Sequence, residues 1–510
     1  MIEEMVTLLR SLMCIAIFAS VAFAAPVDAS DFYTRVMHRH QGEIESLYHM
    51  PYIEIEEIAT RFDSAGLDSF IQWVMQAYHI AGVATCATKH GQIVWKGAHG
   101  WANVEDSVEV ADTTLFMLAS ASKTVTGVAL MQLWEQGLFG LDDDINSYLP
   151  FAVHNPNYPD SIIAFRHLLT HTSSIADNWD VMPYYSGDSP IPLGQYLADY
   201  LVPGGAYYDS SLNYSLVPPG TQWRYCNIAI ALAAYLVEAI LDSFPVHCRD
   251  SIFTPLDMYE TSWFLAGLDT NNIAIPHYWD GFTYRPYGHY GYSDYPSGQL
   301  RTSSLQLARF LVAFQKHGQI DTVRILDSAT VELMTTIQYP SIKPIQGLVW
   351  RWTQLLGQRW VWGHEGGDLG VRTSMSYCPA ETAAVVVLTN GESNDGMLSI
   401  ADALYDYAAE YGIDEKKIPS VALSDVSPCQ NHPNPFNRST SIDFVLTKDS
   451  HVSLTVYNVV GQKIAVLVDE ELQTGKHSAV FDAQGLPGGV YCYRLQAGGV
   501  DQTKRCVFVK

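Results

Sequence analysis

The chain of 510 residues carries 29 Lys+Arg against 54 Asp+Glu, a formal net charge of -25, with 48% hydrophobic and 16% charged residues. That composition supports a sizeable core and excludes disorder over most of the length. It also excludes a nucleic-acid binder working through clustered Lys/Arg and argues against docking on anionic lipid, while the length suggests roughly three domains.

The N-terminus has Arg10, then an apolar run from Leu12 to Val21 and a small-x-small site, Ala22-Phe23-Ala24. The run is too short to span a bilayer, so residues 1–24 read as a secretory signal peptide, with a membrane anchor as the alternative. Cys14 would leave with it. Seven cysteines remain: Cys86, Cys226, Cys248, Cys378, Cys429, Cys492 and Cys506. An odd number leaves at least one unpaired, and no C-x-x-C pair exists; Cys492 with Cys506 is one possible bridge.

Residues 25–60 form a polar segment with weak helical periodicity. From Leu67 to Met75 the apolar spacing is helical, and a strand starts at Ile80. His90-Gly91 makes a turn and Gln92–Lys96 returns, which predicts a hairpin. Ser122–Gln136 is helical with Val125, Val128, Ala129, Leu133 and Trp134 on one face and Gly137 past its end. An apolar helix, Ile228–Glu238, lies in the long middle stretch. The aromatic-dense run His277–Tyr295 reads either as the wall of an acyl or aryl pocket or as a packed loop. Strands follow near Met375–Tyr377 and Thr382–Thr389, then a helix from about Leu398 to Tyr411. Strands at both ends with helices between predict one α+β domain over 61–415, its sheet built from both ends of the domain and a mostly helical part inserted. A linker over 416–427 precedes a change of character. Over 428–510, short alternating runs such as Val452–Tyr457 are punctuated by glycines, the pattern of a small immunoglobulin-like β-sandwich.

Three motifs could carry chemistry. Ser120-x-x-Lys123 at a helix start puts hydroxyl and amine on one face and aims backbone N–H groups at a developing oxyanion. Serine needs an adjacent proton acceptor, which Lys123 can be. Tyr225-x-Asn227 opens the apolar helix, where Asn227 would also serve as an N-cap; a phenol beside an amine can shuttle protons. His364-x-Gly366-Gly367 lies in a glycine-rich strand edge that lets substrate backbone come close; His364 could bind a carboxylate or donate to the reacting group. His167-x-x-x-His171 has zinc-pair spacing but lacks the glutamate of His-Glu-x-x-His, so no metal is expected. Gly-x-Ser-x-Gly, Gly-x-Gly-x-x-Gly and Walker loops do not occur.

In this order the three motifs resemble the serine β-lactamase and penicillin-binding-protein superfamily, in particular its class C β-lactamase, D,D-peptidase and family VIII esterase branch. Arg166–Ser173 and Pro296–Ser303 fit the same pattern, so the resemblance covers about residues 62–412. It implies a β-lactamase-like α+β fold and no cofactor. It implies Ser120 as the acylated nucleophile and Lys123 with Tyr225 as the proton relay, with either as base. Asn227 would orient the substrate amide or Lys123, and His364 and Gly366 would lie on the substrate-edge strand. Backbone N–H groups of Ser120 and Gly367 would form the oxyanion hole. The family's usual Lys is His364 here, which leaves the carboxylate-gripping cation unassigned and looks more like esterases and peptidases than dedicated β-lactamases. Cys226 replaces a small Ser or Ala.

Asn431-His-Pro-Asn-Pro-Phe-Asn437, Val452–Tyr457 and Gly489-Val-Tyr491 together resemble the C-terminal sorting domain of type IX secretion cargo. That implies passage through the periplasm to the cell surface or medium by the secretion machinery. The sequence therefore describes an exported serine hydrolase for ester, peptide or peptidoglycan-fragment substrates. The alternative is a non-catalytic peptidoglycan- or peptide-binding relative.

Overall fold

Two sets of apolar strands, separated by some 250 residues of sequence, meet in one antiparallel sheet. The computed structural model describes residues 64–357, 359–410, 426–428, 431, 436–446, 448–458, 461–497 and 500–510. The signal peptide, the polar segment 25–60, Cys429 and the linker up to residue 425 lie outside the described residues. Helix α1 (Ser64–Ala77) leads into the hairpin β1 (Gly82–Lys89) and β2 (Gln92–Asn103), followed by the short β3 (Val108–Glu109). Helices α2 (Ser122–Glu135), α3 (Asn227–Leu241) and α4 (Ser304–Gln315) intervene. Then come β4 (Arg351–Gln354), β5 (Trp360–Asp368), β6 (Val371–Cys378), β7 (Ala383–Thr389) and helix α5 (Asn394–Glu410). The sheet order is β4-β5-β6-β7-β1-β2-β3, and β1 pairs with β7 from Val83 opposite Thr389 to Lys89 opposite Ala383.

All seven residues of β7 are buried because helices cover both faces of the sheet. Ala384, Val386 and Leu388 join the core built with α2, α3 and α4, whereas Ala383, Val385 and Val387 join a second core with α1 and α5. Each Val or Leu buried in this way contributes about 1.5–3 kcal/mol, which offsets the ~1–2 kcal/mol cost of ordering its backbone. Helix α3 is apolar on every side and correspondingly enclosed, with Ile228 through Ala234 inaccessible to solvent. Among the described residues no single helix is long and apolar enough to cross a membrane.

The part inserted between β3 and β4 is less helical than its sequence suggests. Phe165–Leu169 is a single short turn of helix, Phe244–Cys248 distorts into the π-helical Arg249–Phe253, and Val202–Cys226 is turns and bends. Pro203-Gly204-Gly205 and Pro218-Pro219-Gly220 explain this, since Pro removes a donor and Gly favours turns. The aromatic run is a small hairpin, His277–Trp279 against Tyr284–Pro286, followed by a packed stretch in which Tyr287, Tyr290, Tyr292 and Tyr295 are buried and the Tyr290 hydroxyl donates to Leu369 O at 2.7 Å. Phe282, in contrast, projects into solvent.

The C-terminal strands are β8 (Val426–Pro428), β9 (Ser439–Leu446), β10 (Ser450–Asn458), β11 (Lys463–Leu472), β12 (Gly475–Asp482), β13 (Gly489–Ala497) and β14 (Val500–Phe508). They form a three-stranded sheet, β8-β9-β12, and a four-stranded sheet, β11-β10-β13-β14, around Phe436, Phe444, Leu454, Phe481 and Tyr493. This is a β-sandwich, with Pro428 on an edge strand where its missing donor costs nothing. Asn431, from the polar motif, is buried; its N–H donates to the Tyr493 hydroxyl at 3.0 Å and its amide to Thr440 at 2.9 Å. Cys492 and Cys506 are separate thiols. In register Cys492 pairs with Arg505 and Cys506 with Tyr491, so the two side chains project from opposite faces of the sheet.

At the β4 end of the main sheet Trp350 is fully buried, stacked on Phe314 at 4.0 Å and an interplanar angle of 18°. Trp350→Ala is expected to lower unfolding free energy by about 3–5 kcal/mol in urea titrations, the range for emptying a large aromatic site. A loss below ~1 kcal/mol would contradict this packing role.

Candidate active site

The site begins at a strained turn. Phe116-Met117 pairs with Arg301-Thr302, and the chain then passes through Ala119 at φ +46° before the 3-10 turn Ala119–Ala121 enters α2. A non-glycine residue at positive φ beside Ser120 is stored strain that the surroundings must hold. Thr373 of β6 donates to Leu118 O at 2.7 Å, and Leu118 N–H donates to Leu300 O at 2.8 Å. Gly366 permits this approach: a Cβ there would lie 2.1 Å from Leu118 O.

Ser120 and Lys123 face each other one turn apart, with Lys123 Nζ donating to Ser120 Oγ at 3.0 Å. Lys123 is wholly buried, and Nζ also donates to Ser297 O at 2.5 Å. The Pro296–Leu300 segment is stitched to α2 by Thr126 Oγ1 to Pro296 O and by Leu300 N–H to Ser122 Oγ. Ser297 Oγ in turn donates to the buried Asp294 at 2.7 Å. Burial raises the Asp294 carboxyl to about 6, Asp177 adds to the rise, and the Ser297 bond and Lys123 oppose it.

Tyr225 is the hub. Its ring lies 4.4 Å from His171, 6.3 Å from Trp223 and 6.3 Å from His364, with Lys123 Nζ at 5.0 Å and the Arg351 guanidinium at 5.8 Å. Asn227 opens α3, and Asp177 takes its backbone N–H at 2.8 Å, its side-chain Nδ2 at 2.9 Å and the Ile228 N–H at 3.1 Å. The carboxylate thus caps the helix N-terminus, where the macrodipole favours it. Burial nevertheless pushes Asp177 above the usual carboxylate range. Cys226 donates its thiol to Asp177 at 3.2 Å and accepts from Ala229 N–H; burial pushes the thiol well up, so it acts as a cap and not as a nucleophile.

The two imidazoles differ in tautomer. His171 Nδ1 accepts from Cys226 N–H at 3.2 Å, which puts the ring proton on Nε2. His364 Nδ1 lies 2.6 Å from Glu365 O and must donate to it, so the 3.5 Å approach of Arg351 Nη2 to that nitrogen is not a bond. Burial first, and then the nearby Arg351 and Lys123, hold both rings well below the ordinary histidine range. His364 is therefore neutral with a lone pair on Nε2, and the fixed positive charge at this end comes from Arg351. Among the described residues the Tyr225 hydroxyl, His171 Nε2, His364 Nε2 and Arg351 Nε are buried without partners. A phenol hydroxyl and three nitrogens left unsatisfied in one place are a concentration of unused polar groups that a polar ligand could pair.

All seven residues singled out in sequence lie in this region: Ser120, Lys123 and Tyr225 around the buried amine, Asn227 at the head of α3, and His364, Gly366 and Gly367 along β5. Asn227 Nδ2 is engaged by Asp177. His167 and His171 accept from different backbone donors, Ala164 N–H and Cys226 N–H. Sequence reasoning missed Asp177, Asp294 and Arg351. Only the shortage of cations in this acidic chain could have pointed to Arg351; the two carboxylates carried no signal.

A family model described as Beta-lactamase matches residues 67–410, and one described as Secretion system C-terminal sorting domain matches 431–510. The chain belongs to the β-lactamase family, and its sorting domain marks it for export to the cell surface or extracellular space. "Protein flp" of Staphylococcus aureus (strain MRSA252) is 25% identical over 279 residues, 54% of this chain and 53% of the relative, so the chain spans about half the length of that curated relative. Among solved structures, EstCE1, "a hydrolase with promiscuous acyltransferase activity", superposes with a TM-score of 0.51 at 20% identity, covering 66% of this chain and 98% of that one. D-amino acid amidase from Ochrobactrum anthropi SV3 superposes with a TM-score of 0.54 at 19% identity, covering 68% and 97%. At these identities the likeness to both is one of fold.

The Asp294 carboxyl gives a signed pH dependence. Its folded value of about 6 lies above 3.8, so the protonated form stabilises the fold below pH 3.8 and that contribution is lost as pH rises to about 6. Over this window wild type should lose about 3 kcal/mol relative to Asp294→Asn, at ~1.4 kcal/mol for each pH unit between the two values. Urea unfolding of both proteins at pH 4 and pH 7 measures this, and an unchanged difference would contradict it.

Proposed function

We propose that the chain is an exported serine hydrolase that cleaves ester or amide bonds through an acyl-enzyme on Ser120. Its type is an esterase or a D-amino-acid peptidase, not a dedicated β-lactamase. The observation that carries this reading is the Ser120–Lys123 pair at 3.0 Å, with the amine wholly buried and the unpartnered Tyr225 hydroxyl beside it. The fold neighbours named as a hydrolase and an amidase support acyl transfer as the reaction class.

In this reading Ser120 Oγ attacks the acyl carbon while its proton passes to the coupled Tyr225–Lys123 pair. The N–H groups of Ser120 and Gly367 receive the oxyanion at the head of α2. Collapse breaks the bond to the leaving oxygen or nitrogen, which takes the proton back. Water then attacks the acyl-Ser120 ester by the reverse path. Asn227, held by Asp177, offers its remaining amide oxygen to a substrate N–H or to Lys123. His364 Nε2 accepts a hydrogen bond, and Arg351 receives a carboxylate on the leaving portion; a half-buried guanidinium whose Nε–H is unused is suited to that anion. The absence of a family lysine at position 364 and the presence of Arg351 together support a small peptide or ester substrate with a free carboxylate.

A stopped-flow panel of p-nitrophenyl acyl esters, D-amino-acid peptides and cephalosporins tests the reading. Wild type should show a burst and turnover, Ser120→Ala neither, and Tyr225→Phe a kcat reduced 10²- to 10⁴-fold on the ordinary scale of acid–base catalysis, an order-of-magnitude expectation. Arg351→Gln should raise KM about tenfold or more for carboxylate-bearing substrates and leave neutral esters nearly unchanged. Binding of the peptides by wild type without any covalent step would instead support a non-catalytic binding protein.

A further inference from the structure

The strand that carries His364 and Gly366 also carries two tryptophans at the same alternation. Trp360, Trp362, His364 and Gly366 are spaced by two along β5 and so project from one face, the face on which Gly366 meets Leu118 and Ala119 beneath the nucleophile. On β4, Trp352 is paired with Trp362 and shares that face. The three indoles touch in series: Trp352 lies 5.3 Å from Trp362 and 5.8 Å from Trp360, the second pair stacked at 19°. Trp350, two residues earlier on the same alternation, already fills the core at this end of the sheet. The other three step outward from it, and Trp360 is 43% exposed. Trp352 and Trp362 are half-buried, Trp362 against the main core, so the row runs from the core edge one alternation from His364 out to the exposed face of Trp360.

The polar end of the site fixes the occupant. Arg351 pairs in register with Gly363, whose alternation faces away from the indoles, yet its guanidinium reaches round the edge strand to 3.5 Å from His364 Nδ1 and 5.8 Å from the Tyr225 ring. With the carboxylate of the leaving portion at Arg351, as in the reading above, the His364 end of β5 is the leaving-group side, and Trp362 and Trp360 continue it away from Gly367. A leaving residue whose carboxylate reaches Arg351 would extend its own side chain along Trp362 and Trp352. Flat apolar groups stack on indole and bury the most area at the least conformational cost.

We propose that Trp352, Trp360 and Trp362 form a subsite for the aromatic side chain of a carboxylate-bearing leaving residue. The proposal rests on the acyl-transfer reading above and deepens it: the preferred substrate is an acyl amide or ester of an aromatic amino or hydroxy acid. Catalysis itself is unchanged, with the leaving nitrogen or oxygen taking the proton released from Ser120.

The test compares N-acetyl-D-alanyl amides that end in phenylalanine or alanine, in both configurations, beside a small alkyl thioester that does not reach the indoles. Wild type should favour the phenylalanine substrate in kcat/KM by about tenfold or more, chiefly through KM. Trp352→Ala should reduce that ratio to within about threefold while thioester turnover stays within about twofold. Trp360→Ala, at an exposed position, serves the same purpose should Trp352→Ala fail to fold. Independently of turnover, N-acetyl-phenylalanine should shift the tryptophan fluorescence of Ser120→Ala protein, and N-acetyl-alanine should not. A wild-type ratio near one, or a ratio unmoved in both variants, overturns the subsite while thioester turnover keeps the hydrolase reading intact. A change of oligomeric mass in Trp360→Ala, with the ratio unmoved, assigns the indole row to a second copy of the chain and overturns the proposal. Failure of every substrate to acylate Ser120 counts against the hydrolase reading, and the fluorescence result then decides the subsite alone.

Discussion

The wholly buried amine of Lys123 is the constraint on which the rest of the site depends. A lysine amine enclosed without partners would be very costly, and here it has two acceptors, Ser120 Oγ and Ser297 O. Each acceptor requires structure of its own. Ser120 Oγ is in place because Ala119 adopts a strained backbone that Leu118 anchors to β6 and to Leu300. Ser297 O is in place because the Pro296–Leu300 segment is bonded to α2 and because Ser297 Oγ is held by Asp294. Two carboxylates, Asp177 and Asp294, feel the favourable charge of Lys123 from inside the protein, and both are raised mainly by burial. A buried cluster of this kind is poor stabilisation by itself, since desolvation consumes most of the attraction. It holds a hydroxyl, an amine and a phenol in fixed geometry, which is the preorganisation the proposed acyl transfer requires.

The sheet makes that geometry rigid. Because β7 and β1 are buried on both faces, their register cannot slip by one residue without exchanging the contents of two cores. Strand β6, paired to β7, carries Thr373 to Leu118, and β5, paired to β6, carries Gly366 to the same backbone. The position of Ser120 is therefore set by packing some distance away, and helix α3, which begins at Asn227 just after Tyr225, is itself fixed by its enclosed apolar surface.

Much of this is legible in the sequence for physical reasons. The hairpin at His90-Gly91, the helix after Ser120, the apolar helix after Asn227 and the strand Ala383–Thr389 all follow from short-range periodicity and turn chemistry. The three motifs are local as well, each fitting one turn of helix or one strand edge. What the sequence does not reveal is what depends on long-range placement. Asp177 follows an unremarkable Ile-Ala pair and reaches Asn227 only once the chain folds back. Asp294 sits in an aromatic run that gives no sign of a buried carboxylate. Arg351 reaches the site from the edge strand, and the neutrality of His364 depends on a backbone carbonyl and on Arg351. The insert looks helical by its apolar content alone, and its Pro-Gly punctuation overrides that content.

Covalent acylation of Ser120, activated within the Lys123–Tyr225 pair, is read out by intact-mass and peptide-level mass spectrometry of protein quenched during turnover of a slowly deacylating ester. An adduct of the acyl mass is expected, approaching one per chain, confined to the peptide containing Ser120 and absent from Ser120→Ala. Turnover without an adduct, or an adduct on any other residue, would contradict this mechanism.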